Sequence, residues 1–261
     1  MRERTSGGQG DRPGVKRRTP LASGERPVSR IVLVRVRRGG ERLWRLADFA
    51  EHSPAAVAQA FSRLAASGEL RRVGRGLYHR GRATVLGTSV PDPGLLLQEA
   101  AAGYPLFPAG LSAASVLGFS TQSPAVPEVS TVRASLKRGL LVSRIVVRTR
   151  RPVAWMDLRE SDGALLEFLR SRGAGSELDG HATIARVLLL LRERGRFQRL
   201  LSVAATEPPR VRALLGALGE ELGVARRRLE PLRQTLNPLS RFDFGPFRTL
   251  PTAPTWFAKA A

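Results

Sequence analysis

Five side chains, Ser53, Ala55, Gln59, Ser62 and Arg63, have the types and spacing to touch a nucleic acid. On a helix, positions 55, 59, 62 and 63 share one face. Small residues there let the helix come close to base edges. A Gln amide matches adenine and an Arg guanidinium matches guanine in a major groove. Three more arginines, Arg71, Arg72 and Arg75, follow closely and suit phosphate or minor-groove contact. The bland reading of the same residues is a solvated basic face on a protein-docking module.

Positioning these groups requires a helix, a turn and a hairpin. Ser53 is a good N-cap, Pro54 fits the first helical position, and Gly68 is a C-terminal stop. Val57, Ala60, Phe61 and Leu64 recur as one helical face. A shorter helix holding Leu46, Ala47, Phe49 and Ala50 is expected before it, with His52 at the turn. After Gly68, Leu70 and Val73 are expected to point inward. Gly74 and Gly76 bracket Arg75 at a hairpin tip, and Leu77 and Tyr78 return along the second strand. Residues 27–38 are rich in β-branched side chains, which favours a strand. Their spacing also fits a helical face, and a three-helix core needs a helix there, so a helix is predicted. Residues 42–44 are expected to form a short strand paired with the hairpin, with Trp44 on the core. The pattern over 25–82 is that of a winged helix-turn-helix. Residues 1–24 read as a disordered basic tail whose Lys16, Arg17 and Arg18 graze phosphates.

The chain carries 43 Lys plus Arg against 22 Asp plus Glu, a net charge of +21. Residues 1–80 hold 18 of the basic and 7 of the acidic residues, so the excess is concentrated near the N-terminus. That asymmetry favours an anionic polymer as partner. An arginine-rich background, as a high-GC genome produces, accounts for part of the rest. There is no cysteine, which excludes disulfides and thiolate metal sites. The three histidines match no metal spacing, and no cofactor is expected. No apolar run reaches the ~20 residues of a membrane span, and no signal core is present, so a soluble cytoplasmic protein is expected.

The remainder, 83–261, divides by pattern into a mixed α/β stretch at 93–153, a helical bundle of about five helices at 154–237 and an aromatic tail at 238–261. Residues 81–92 read as a linker. Helices are expected at 95–102 and 108–117, and the polar run 120–123 reads as a capped turn. Strands are expected at 128–132 and 140–150, joined by a turn at Lys137, Arg138 and Gly139. Residue 231 is a proline that should kink the last helix. The tail carries Phe242, Phe244, Phe247, Trp256 and Phe257 in a Pro-interrupted segment, which suits anchors latched on the protein's own core or docked on a partner. The fold class expected is α+β, mostly helical.

An enzyme is not expected. Asp157, Glu160, Asp162, Glu177 and Asp179 lack catalytic spacing and read as the acidic first turns of helices. There is no nucleophile elbow or phosphate-binding loop.

Three stretches carry a family resemblance: ADFAEHSPAAVAQAFSRLAASGELRRVGRGLYHR at 47–80, GLSAASVLGFSTQSPAVPEVST at 110–131, and LNPLSRFDFGPF at 236–247. With them the chain resembles the AbiEi-type antitoxins of bacterial type IV toxin–antitoxin systems. The resemblance implies an N-terminal domain that binds double-stranded DNA at its own promoter as a repressor. It also implies a C-terminal domain that counters a cognate nucleotidyltransferase-like toxin. A stand-alone winged-helix regulator without a toxin, and a basic protein-interaction module, are the alternatives. The oligomeric state is left open.

Overall fold

The computed structural model describes residues 27–260 apart from 86, 142 and 143, and all but the side chain of Arg138. The basic tail at 1–24, with Lys16, Arg17 and Arg18, lies outside the described residues, as does Val142 of the expected second strand. The described chain is α+β, with helices predominating, and it forms two compact units that divide between Val90 and Pro91. The expected boundary at 82 is thus too early. Residues 81–90 are no bare linker, because strands β4 (Ala83–Thr84) and β5 (Gly87–Thr88) pair as a small antiparallel hairpin belonging to the first unit. No helix among the described residues is long and apolar enough to cross a membrane.

The first unit begins with helix α1 (Val28–Arg38), which buries Val32 and Val36. Tertiary packing of that face outweighs the β propensity of its Val and Ile residues. Strand β1 (Arg42–Arg45) follows, then one 3₁₀ turn at Leu46–Phe49 in place of the expected short α-helix. Four residues leave no room for an i→i−4 ladder, and Asp48 instead accepts the backbone N–H of Arg45 at 2.8 Å. Helix α2 (Pro54–Ala66) buries Val57, Ala60, Phe61 and Leu64 as the spacing predicts. Ser53 stands at its N-cap position, but its hydroxyl makes no capping bond; the helix opens on Pro54 and on the Val57 N–H bonding the Ser53 carbonyl at 3.0 Å. Gly68, at φ +78°, ends α2 and lets the Leu70 N–H reach the Leu64 carbonyl at 3.1 Å. Strands β2 (Arg71–Gly74) and β3 (Leu77–Arg80) then form a hairpin that turns at Arg75 and Gly76. β3 is the centre of an antiparallel sheet in the order β1-β3-β2, with Trp44 opposite Tyr78.

The second unit starts with α3 (Pro93–Ala101), β6 (Phe107–Pro108) and α4 (Gly110–Val116). Strands β7 (Glu128–Ser130) and β8 (Val146–Arg148) are parallel, which corrects the expected hairpin. Lys137 and Gly139 do not join two strands. The Lys137 N–H bonds the Ala100 carbonyl at the end of α3, and a 3₁₀ turn follows at Arg138–Leu140. The chain then returns to the start of β7, where the Val146 N–H bonds the Pro127 carbonyl, and runs in the same direction. The free edge of β7 is taken by β6 instead.

Five helices complete the unit: α5 (Glu160–Arg170), α6 (Gly180–Arg192), α7 (Arg196–Val203), α8 (Pro209–Glu221) and α9 (Arg226–Gln234), the last with Pro231 inside it. One core runs through the mixed stretch, the bundle and the tail, from Phe107 to Trp256. The tail latches on its own unit. Phe244, Phe247 and Trp256 are buried, and the Trp256 ring lies where a Cβ at Gly216 would collide with it. The polar run at 120–123 is a turn held by Glu177, which accepts the Thr121 N–H at 2.9 Å. Asp179 caps α6 as its position suggests, and Asp162 stands in the first turn of α5 as expected. It is fully buried between Arg196 at 2.9 Å and Arg199 at 2.5 Å.

Trp256→Ala should remove a buried aromatic and its Nε1 bond to Glu220. The expected cost is about 3–5 kcal/mol, read as a lower urea midpoint, with amide protection lost first over residues 242–260.

Candidate nucleic-acid interface

Ser53, Ala55, Gln59, Ser62 and Arg63 are all exposed, opposite the buried face of α2. Ala56, next to Ala55 on α2, is half-buried. Arg71, Arg72 and Arg75 are also exposed, but they do not form one cluster. Successive strand residues point to opposite faces. Arg72 is paired in register with Tyr78, whose ring lies in the core, while Arg71 is paired with His79 on the other face of the sheet. Arg75 stands alone at the hairpin tip beside Gly76, whose φ of +69° the tight turn requires.

Three ion pairs fix the frame around this surface. Arg35 on α1 reaches the turn before α2: its guanidinium donates to the Asp48 carbonyl at 3.0 Å, pairs with Glu51 at 2.5 Å and lies over the Phe49 ring at 4.8 Å. The Glu51 carboxyl is held below its ordinary range by a hydrogen bond to its own backbone N–H and then by Arg35. Arg37 pairs with Glu69 at 2.5 Å, which ties α1 to the α2–β2 connection and lowers the Glu69 carboxyl. Arg42 meets Asp48 at 3.2 Å and covers the Trp44 ring at 3.9 Å. Exposed pairs of this kind contribute little to stability, roughly 0–1 kcal/mol each. Their effect is to commit those arginines to the protein. Among the described residues, Arg63, Arg71, Arg72 and Arg75 have no carboxylate partner. The available positive charge therefore includes the outer face of α2 and the hairpin.

Sequence reading missed His79. It lies opposite both Leu43 and Arg71 and is only 4% exposed. Gly81, Thr88 and Ser89 come close to His79 here. Ser89 Oγ accepts from the Arg82 N–H at 2.8 Å and donates to Glu41 at 2.5 Å, and Gly81 has no room for a Cβ against Thr88 and Ser89. Nothing local in the pattern Leu77-Tyr78-His79-Arg80 signals this burial. Burial pushes the His79 imidazole below its usual range; Glu41 opposes the shift and Arg71 adds to it.

No protein-family model matches the chain, and no curated protein matches it. Among solved structures, the crystal structure of the RV2827C protein from Mycobacterium tuberculosis is similar, with a TM-score of 0.45 and 18% identity over 84% of this chain and 85% of that one. At that score and identity the likeness carries no functional weight.

The depressed pKa of His79 has a defined consequence. In the window below the unfolded value of about 6.5, the unfolded chain binds more protons than the folded one. Stability contributed by the neutral imidazole is therefore present above that pH and lost as pH falls through the folded value. The first unit should melt at lower temperature at pH 5.5 than at pH 7.5. His79→Gln should flatten that difference in a thermal melt followed by amide exchange over residues 27–90.

Proposed function

We propose that residues 27–90 are a winged helix-turn-helix that binds double-stranded DNA. In this reading α2 is the recognition helix in the major groove and the β2–β3 hairpin is the wing. The observation that carries the reading is the outer face of α2. It presents small side chains, one amide and one guanidinium free of any acid among the described residues, and the hairpin arginines stand equally uncommitted. Gln59 and Arg63 are assigned to base edges, Ser53, Ala55 and Ser62 to close approach, and Arg71, Arg72 and Arg75 to phosphates or the minor groove.

The resemblance to AbiEi-type antitoxins extends the proposal. The protein represses its own promoter and counters a nucleotidyltransferase-like toxin encoded beside it. The support for the toxin is that resemblance alone. The buried Phe244, Phe247 and Trp256 are spent on the protein's own core, so a toxin contact would fall elsewhere on the second unit.

Base-reading and phosphate-holding residues separate by measurement. Gln59→Ala with Arg63→Ala should cost about 1–3 kcal/mol per lost base contact. Fluorescence anisotropy should then show equal affinity for the upstream duplex and a scrambled one. Arg75→Ala should weaken both duplexes alike and reduce the log–log salt slope by about 0.9. If neither variant changes DNA binding, the assignment of these elements fails.

A further inference from the structure

In the second unit the sheet runs in the order β6-β7-β8, so β8 is an edge strand. Its inner side is fixed by bonds to β7 and the residues flanking it. The Val146 N–H reaches the Pro127 carbonyl at 2.9 Å, and the Arg148 carbonyl accepts the Thr131 N–H at 3.0 Å. Along a strand the backbone groups of successive residues point to opposite sides. The N–H and carbonyl of Val147 therefore face outward, and no strand or side chain among the described residues bonds them. We propose that this edge docks an extended acidic segment of a partner protein, which pairs with β8 as an added strand.

Alternation also sorts the side chains. Ile145, Val147 and Thr149 are each half-buried, and all three line a groove of about 480 Å³. Leu136 and Leu141, from the segment before the strand, add apolar wall to it. A strand laid along β8 puts every second side chain beside Val147 and toward this groove. Its other side chains lie beside Val146, which is 45% exposed, and Arg148. Main-chain bonds supply affinity in such a pairing, and the groove for alternate side chains supplies selectivity.

Charge identifies the occupant. Residues 129–156 contain seven Lys or Arg and no Asp or Glu. On and beside β8, Arg144, Arg148 and Arg150 are exposed. Arg148 holds Glu128 at 2.8 Å, while Arg144 and Arg150 have no carboxylate partner among the described residues. A second copy pairing edge to edge sets these arginines against their own images, and like charges across a strand pair are destabilising. A short edge flanked by charge of one sign resists self-pairing in this way. An acidic strand meets no such barrier, because its carboxylates accept from the exposed guanidinium groups. The segment this edge selects alternates apolar and acidic residues, with the apolar ones toward the groove. The site lies wholly within the second unit and does not rest on the DNA reading.

The probe is a synthetic peptide that alternates valine and glutamate, blocked at both ends and long enough to span residues 145–149. It is titrated into the full-length protein, and amide hydrogen exchange is read residue by residue. The expected result is saturable protection, with exchange of the outward Val147 and Thr149 N–H groups slowed at least about tenfold. Val146, already bonded to β7, should change less. Val147→Pro removes an outward N–H and no bond to β7, and proline is tolerated on an edge strand in that orientation. It should weaken peptide binding, read at Thr149, at least about tenfold. Arg144→Ala with Arg150→Asn should weaken it by a similar factor; asparagine is chosen because residue 150 has a φ of +59°. On the wild-type protein, a peptide with lysine in place of glutamate should give no protection, nor should the parent peptide N-methylated at every amide. That comparison decides the matter even if the proline variant disturbs the sheet. Unchanged exchange at Val147 with millimolar peptide, or equal protection by the lysine or the N-methylated peptide, overturns the proposal. Protection of Val147 that grows with protein concentration in the absence of peptide also overturns it, in favour of a second copy on this edge.

Discussion

Trp44, Phe49, Phe61 and Tyr78 touch in sequence, with ring centroids 5.8, 5.5 and 5.0 Å apart. They come from β1, the 3₁₀ turn, α2 and β3, so this chain of rings ties the helix that exposes Gln59 and Arg63 to the sheet whose β2 strand carries Arg71 and Arg72. Edge-on contacts between aromatic rings add about 0.5–1.5 kcal/mol to their area burial and also set orientation. Phe61, like Phe49, has two ring neighbours on different elements, and it sits on the inner face of the same helix that exposes Gln59, Ser62 and Arg63. The rotation of α2 about its axis is fixed by that ring. Burying Val57, Ala60, Phe61 and Leu64 leaves no other face to present.

The second unit uses its arginines in a different way. Asp162, Glu167 and Glu207 are buried acids, and each is held by arginine: Asp162 by Arg196 and Arg199, Glu167 by Arg151, and Glu207 by Arg170 with the Trp155 indole N–H at 2.8 Å. Removing one partner of such a pair leaves an uncompensated buried charge, at a cost of about 3–5 kcal/mol. These arginines are structural, so the number of arginines overstates what the second unit offers to a polyanion. In the first unit the ion pairs of Arg35, Arg37 and Arg42 are on the surface, and further arginines remain without acids among the described residues. The contrast between buried pairing and exposed charge matters more to the functional reading than the total of +21.

Local signals made α2 legible: Pro54 at its start, apolar residues at 57, 60, 61 and 64, and Gly68 past its end. The pattern over 154–237 predicts a bundle of about five helices, which the described residues contain, and Gly74 and Gly76 marked the hairpin turn. What could not be read depends on distant segments meeting. His79 is buried on the central strand, on the side where Gly81, Thr88 and Ser89 come near it, where β alternation alone would leave it facing water. β8 runs parallel to β7 because its partner edge lies at 127–130, across a long excursion that no turn motif announces. Asp162 has the position of a helix-start acid, and only the arrival of α7 makes it the partner of Arg196 and Arg199. The separation of Arg71 from Arg72 onto opposite faces was implicit in strand alternation, but it required the register with His79 and Tyr78.

The most direct test of the DNA reading is a gel-shift titration of the wild-type protein on its own upstream DNA. A scrambled duplex is run beside it, each at a low and a near-physiological salt concentration. The expected result is binding to the upstream duplex that persists at the higher salt while the scrambled duplex is released. Specific base contacts survive screening, whereas counterion-driven attraction falls steeply with salt. Equal and salt-labile binding to both duplexes would contradict it. The outer face of α2 would then be a solvated basic surface, and the positive charge would act without reading sequence.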